Sequence, residues 1–290
     1  LKTAIVTDSS TYLPMKEIKK HNIKVIPIQI IFSDESFEEG VNLTNKQFYE
    51  KLEASTTLPS TSQPPIGELI NLYNRLAEEG YDNVISIHLA ATISGLYQQV
   101  VQISNMVSDI RVIPFDSQIT VALMGELVRY AATLAERNID PDTIIAKLTN
   151  LRSTIDELFV VDDLKNLVKG GRLSNSSAFI GGLLNIKPLL TFDKTSDQII
   201  AFDKVRTMKR ANKRVLELFQ AKIEHCDYPL KAFIMDANDP KANKEWVKNF
   251  KRIAPNQTVV QSYLGPTIGT HLGERAMALG WMQDIDQIHD

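Results

Sequence analysis

Short aliphatic and β-branched runs alternate with amphipathic stretches over the first half of the chain, and this alternation limits the fold more than any other property of the sequence. Residues 2–7 (KTAIVT), 84–87 (VISI) and 109–114 (DIRVIP) read as strands, and residues 23–32, interrupted by Pro27, as one or two more. Helices are expected from Pro14 through Lys20, over 45–53, from Pro65 to Gly80, from Ser94-Gly95 onward, and over 120–137 and 141–154. Strand and helix in strict succession predict an α/β fold with a parallel sheet covered by helices on both faces. Ligands of such sheets bind beyond the carboxyl ends of the strands, where Asp8-Ser9-Ser10, Thr92-Ile93-Ser94-Gly95 and Asp116-Ser117 would meet.

The second half repeats the theme. Strands are expected at 157–161, 199–205, 230–235 and 258–263, and helices at 207–224 and 240–252, the former basic on its polar side through Lys209, Arg210, Lys213 and Arg214. A short helix stops at Lys169-Gly170-Gly171-Arg172, where both glycines read as a positive-φ cap. At 290 residues the chain has room for two domains of roughly 150 residues each, placed at 1–155 and 156–290, with the last helix free to pack back on the first domain.

Within this frame, residues 84–98 (VISIHLAATISGLYQ) run from a buried strand through a polar turn into a helix. That geometry aims free backbone N–H groups, the positive end of a helix dipole and the Ser94 hydroxyl at one point, a ready anion site. Ser94 also fits the plain role of a capping serine. Residues 54–65 (ASTTLPSTSQPP) are denied regular structure by proline yet are dense in hydroxyls, as either a linker or a binding loop would be. Near the end, Gly265, Gly269 and Gly273 bracket Thr270 and His271 in what reads as a glycine-rich turn before a helix.

Composition narrows the chemistry. A net charge of −3 gives no sign of a nucleic-acid partner, and the single cysteine, Cys226, rules out an internal disulfide or a multi-cysteine metal site. The five histidines, at 21, 88, 225, 271 and 289, are scattered, so no metal is expected. No GxGxxG after a strand, no GxxxxGK[ST] and no HExxH occurs, and Ser94 lacks the first glycine of a G-x-S-x-G elbow. With no signal peptide and no long apolar run, a cytoplasmic location is expected.

VTDSS at 6–10, TSQPP at 61–65, TISGLYQ at 92–98, DS at 116–117, KGGRLS at 169–174 and IGTHLG at 268–273 stand in the order and approximate spacing of the DegV family, which the chain resembles from its first strand to its last helix. The resemblance implies a bacterial lipid-binding protein that takes a long-chain fatty acid such as palmitate between its two domains and, as the binding subunit of a fatty acid kinase, presents the carboxylate to a separate ATP-binding subunit for acyl-phosphate formation. It implies no catalysis by this chain alone and no cofactor beyond the bound lipid. Carried over by position, carboxylate contacts fall on Thr61, Ser94 and Gly95, with His271 near the carboxyl group and Ser62, Thr92 and Thr270 as supporting donors. Arg172 and Arg206 resemble arginines that face the kinase or the phosphoryl group. Ala90-Ala91 departs from the serines many members carry there.

The physics of a carrier is consistent with this. A sixteen-carbon tail gains on the order of 11 kcal/mol on burial, at about 0.8 kcal/mol per methylene, before binding costs. A carboxylate drawn from water needs hydroxyl and N–H donors in its place. A monomer with transient membrane contact is the expected solution form. Two other functions remain open at this point: an esterase or thioesterase with Ser94 as nucleophile, His271 as base and Asp8 or Asp116 as orienter, and a regulatory lipid sensor using the same pocket.

Overall fold

The computed structural model describes residues 2–33, 35–162, 164–174, 186–224 and 226–288. The sequence is also apolar over 179–190, with Gly181-Gly182 inside, and residues 179–185 of that stretch, together with Asp163, His225 and His289, lie outside this set.

In chain order the elements are β1 (Thr3–Asp8), α1 (Met15–Lys20), β2 (Lys24–Ile26), β3 (Gln29–Phe32), β4 (Glu35–Glu38), α2 (Asn45–Ala54), β5 (Ser60–Ser62), α3 (Ile66–Glu78), β6 (Asn83–His88), α4 (Leu96–Ser104), β7 (Arg111–Asp116), α5 (Val121–Glu136) and α6 (Pro141–Arg152). There follow β8 (Asp156–Val160), α7 (Lys165–Lys169), β9 (Lys187–Phe192), β10 (Ile199–Val205), α8 (Met208–Ile223), β11 (Leu230–Asp236), α9 (Pro240–Ile253), β12 (Thr258–Tyr263), α10 (Pro266–Leu272) and β13 (Met277–Gln283). The chain divides into two compact units, Leu1–Thr44 with Thr61–Ser153, and Asn45–Ser60 with Thr154–Asp290.

The first unit is built on a parallel sheet in the order β2-β1-β6-β7, flanked by helices as the alternation predicts. β6 is buried at every position, which only a sheet covered on both sides produces. Strands β1 and β6 are neighbours from which the chain proceeds in opposite directions across the sheet, so the crevice after their carboxyl ends is the topological switch point of this unit. Pro27, with no N–H to donate, ends β2 and separates it from β3. Strands β4, β3 and β5 form a second, small sheet. Thus residues 54–65 are not irregular throughout: Ser60–Ser62, between Pro59 and Pro64, pairs beside β3 because none of those three residues is a proline.

A six-stranded mixed sheet, in the order β10-β9-β8-β13-β11-β12, organises the second unit, with only β11 and β12 parallel. Helices α8 and α9 bury Phe219 and Phe250 against it, and Phe219 meets Trp281 of β13 edge-on with centroids 5.0 Å apart. Thr207 caps α8 by accepting from the Arg210 N–H at 3.2 Å, and Asp239 caps α9 from Ala242 at 2.9 Å.

Three expectations change here. Residues 266–272 are themselves a helix, α10, with Pro266 in its first turn and Gly273 at φ +76 behind its end, so His271 sits in a last helical turn and a strand follows. That strand, β13, runs through the middle of the sheet; its unbroken apolar sequence carries no period to reveal it. The last helix packs on α2 and α7 within the second unit, and α2, expected in the first domain, belongs to the second unit by its packing. The Tyr49 hydroxyl donates to the Leu264 carbonyl at 2.7 Å, and Gly269 lies flat against Phe48 and Tyr49. A Cβ at Gly269 would stand 2.6 Å from the Tyr49 oxygen.

Candidate functional site

Three strand ends of the first unit converge as the loop spacing suggests. β1 ends at Asp8, β6 at His88 and β7 at Asp116, with the last two in register. The residues after β6 are then held one by one: Leu89 N–H donates to Asp8 Oδ2 at 3.1 Å, Ala90 N–H to the Ile119 carbonyl at 2.8 Å, and Ala91 N–H to Asp116 Oδ1 at 3.1 Å. Two carboxylates therefore do meet at this edge, and both are occupied with backbone.

Helix α4 begins at Leu96, and the Ser94 hydroxyl oxygen accepts from its N–H at 3.2 Å. Gly95, not Ser94, is the cap residue of α4; the Ser94 oxygen closes a turn one residue earlier, while its own proton is still available to donate. Ser94 is half-buried, and Thr92 and Gly95 are exposed. The TSQPP stretch adjoins this turn. Gln99 of α4 reaches across with Nε2 to the Pro64 carbonyl at 3.1 Å, and the Gln63 side-chain oxygen lies where a Cβ on Gly95 would come within 2.9 Å. Glycine at 95 leaves room for the Gln63 amide, the end of a flexible side chain, where the two stretches adjoin. Thr61, half-buried, lies on β5; Ser62, exposed, donates to the neighbouring Gln63 carbonyl at 3.3 Å. Neither Gln63 nor Gln99 was marked by the sequence, where glutamines in a loop and on a helix look like ordinary surface residues.

In the second unit, α7 and α10 form another cluster. A Cβ at Gly170 would lie 2.6 Å from His271 Nδ1 and 2.9 Å from the Asn166 carbonyl, so the His271 ring occupies the space a side chain there would need. Gly170 itself has φ −73; only Gly171, at φ +68, supplies the positive φ expected of the pair. Arg172 turns back and donates from its guanidinium to the Gly170 carbonyl. Burial first, and the Arg172 charge second, push the His271 pKa down to about 4, leaving a neutral imidazole at physiological pH. Thr270 is buried and donates its hydroxyl proton to the Pro266 carbonyl at 2.8 Å, while its own carbonyl accepts from Asn166 Nδ2 at 3.0 Å. It braces α10 rather than offering a donor outward. Arg206 is exposed, one residue before the cap of α8.

Among the described residues no group of three or more His, Cys, Asp or Glu side chains could hold a metal ion, and no helix is long and apolar enough to cross a membrane. A surface groove of about 480 Å³ lies between β2 and α3, lined by Lys24, Glu68, Asn71 and Arg75 among others, and includes none of the candidate residues.

A sequence profile of the family described as "Uncharacterised protein, DegV family" matches residues 2–284. A DegV domain-containing protein of Listeria innocua is 39% identical over 280 residues, covering 97% of this chain and 98% of the relative. Among solved structures, that of DegV from Bacillus subtilis, described as a fatty acid binding protein, superposes with a TM-score of 0.89 at 39% identity over 98% of this chain and all of that one (100%). A fatty acid binding DegV family protein from Streptococcus agalactiae gives 0.91 at 36% identity over 98% of this chain and 99% of its own.

Proposed function

The chain belongs to the DegV family, and from that premise we propose that it binds a long-chain fatty acid by its carboxylate and presents that group to a separate ATP-binding kinase. The observation that carries the reading is the closure of TSQPP on TISG through Gln99, Gln63 and Gly95, which sets two hydroxyl-bearing stretches beside a helix start at the switch point of the first sheet. The Bacillus and Streptococcus proteins, at 39% and 36% identity, are fatty acid binding proteins, which supports fatty acid as the ligand class. Thr61, Ser94 and the Gly95 backbone are the proposed carboxylate donors, with His271 as a neutral N–H donor. Neutral donors hold a carboxylate without drawing off the charge it needs as a nucleophile towards ATP.

The hydrolase alternative asks Asp8 or Asp116 to orient His271. Asp8 is already engaged by His88 and Leu89, and Asp116 Oδ1 by the Ala91 and Gln118 amides. An imidazole with a pKa near 4 is also a weak general base at neutral pH.

Native mass spectrometry of the purified protein, with identification of any lipid released on denaturation, tests the reading. One fatty acid per chain, lost in Thr61→Ala with Ser94→Ala, is the expected result. Failure to carry or load a fatty acid, together with labelling of Ser94 by a fluorophosphonate, would replace it with the hydrolase. A lipid-loaded protein for which no kinase converts the acid to an acyl phosphate would leave the sensor role.

A further inference from the structure

The fatty-acid reading gives no role to the buried polar chain that runs behind the Thr92–Gly95 turn. Asp8, Ser10, Ser86 and His88 are each fully buried. Asp8 Oδ2 receives His88 Nδ1 and the Leu89 N–H, both at 3.1 Å, and Oδ1 receives the Ser10 N–H at 3.0 Å and the Ser10 hydroxyl at 2.6 Å. Beyond His88, Nε2 meets the Ser86 hydroxyl at 2.8 Å, and Ser86 meets the buried Tyr73 hydroxyl, also at 2.8 Å. On the other side Thr120 donates to Ser10 at 3.0 Å.

The direction of every proton in this chain follows from its ends. Burial holds the Tyr73 hydroxyl well above its ordinary pKa, so Tyr73 keeps its proton, and Ser86 is its acceptor. His88 Nδ1 faces Asp8 Oδ2 at 3.1 Å, where a bare nitrogen would set its lone pair against the carboxylate, so the imidazole proton sits on Nδ1 and Nε2 accepts from Ser86. With the proton on Nε2 instead, Ser86 would accept from both Tyr73 and His88, and its own proton would have no acceptor among the described residues. Two ordered chains therefore converge on Asp8, Thr120 to Ser10 from one side and Tyr73 to Ser86 to His88 from the other.

We infer that Asp8 and His88 are positioning residues for the carboxylate site: His88, donating from Nδ1, fixes the Asp8 carboxylate so that its Oδ2 anchors the Leu89 N–H, the first residue of the turn that carries Ser94. Neither touches the ligand. The inference rests on the fatty-acid reading, and it is distinct from the hydrolase arrangement, since Ser86, His88 and Asp8 are sealed from any substrate.

The test compares two replacements of His88. In His88→Asn the side-chain amide stands near the Nδ1 position and can still donate to Asp8; in His88→Gln it stands near Nε2 and serves Ser86 instead, with the better match in volume. Palmitate affinity of His88→Asn is expected within about threefold of wild type and that of His88→Gln to fall tenfold or more, with the Leu89 amide exchanging faster only in the latter. A packing role predicts the opposite order, and equal affinities would likewise overturn the inference. Nitrogen NMR of the wild-type protein supplies the second measurement should either variant fail to fold: an Nδ1–H tautomer with a protected Leu89 amide supports the clamp, and an Nε2–H tautomer overturns it. Wild-type protein that binds no palmitate would remove the fatty-acid reading and this inference together; palmitate bound unchanged by His88→Gln would remove this inference alone.

Discussion

Gly170 and His271 share one space: the imidazole Nδ1 lies 2.6 Å from where a Cβ at position 170 would stand. The glycine in KGGR is therefore a seat for a side chain 101 positions later in the sequence. Gly170→Ala should push the ring off its seat and weaken palmitate binding by roughly tenfold if His271 contributes to the carboxylate site. Gly171→Ala meets no atom within 4 Å and acts only through its φ of +68, at a cost of about 1 kcal/mol of stability with affinity retained. Calorimetric titration and thermal melts on the two variants separate the effects.

The His271 ring should titrate near pH 4 rather than in the ordinary histidine range. Because its folded pKa lies below the unfolded value, the fold loses stability as pH falls from about 6.5 towards 4. Arg172→Ala removes the lesser cause of the shift and should move the midpoint up without restoring it to the ordinary value. Following the ring C–H resonance of His271 against pH reads both.

Glu157 carries the opposite sign. It is buried on β8, where its Oε1 accepts from the Phe192 N–H at 2.7 Å and the Thr191 hydroxyl at 2.9 Å, and burial pushes its pKa up to about 7. The folded state thus holds a proton that the unfolded chain releases. Its contribution is fully present below about pH 4.5 and is lost as pH rises through 7, by up to ~3 kcal/mol. Glu157→Gln should flatten this part of a urea stability profile measured between pH 5 and 8.

Gly269→Ala would set a methyl 2.6 Å from the Tyr49 oxygen and 2.8 Å from a Phe48 ring carbon. Both rings are fully buried and stacked edge-on at 4.9 Å, so neither can step aside cheaply. A loss of about 2–3 kcal/mol is expected, against about 1–2 for Tyr49→Phe, which leaves the Leu264 carbonyl without its donor. Denaturant melts of the two variants check the order.

Arg172→Ala and Arg206→Ala should leave palmitate binding within about threefold while impairing acyl-phosphate formation with a partner kinase. Retained transfer in both would dismiss their kinase-facing role. Lipid binding is followed by native mass spectrometry, and transfer by acyl-hydroxamate formation.

Periodicity and proline breaks are local properties, so the sequence by itself indicated most elements: the parallel first sheet, Pro27 as a break, and the βαβ unit of β11, α9 and β12. The motif set was legible for the same reason, as six short stretches in order. Side-chain partners depend on approach in three dimensions, and there the tertiary structure decided. Ser86 and His88, two polar residues spaced by two in a buried strand, were the visible trace of a network whose other members lie at 8, 10, 73 and 120. Gln63 and Gln99 left no trace, because a side chain that bridges two loops has no period. The central strand β13 read as nothing in particular, since burial on both faces erases the alternation that marks a strand. Helix α2 took its place from Phe48 and Tyr49 packing on a glycine more than two hundred positions away, a contact whose loop-closure entropy is offset only once the whole core is assembled.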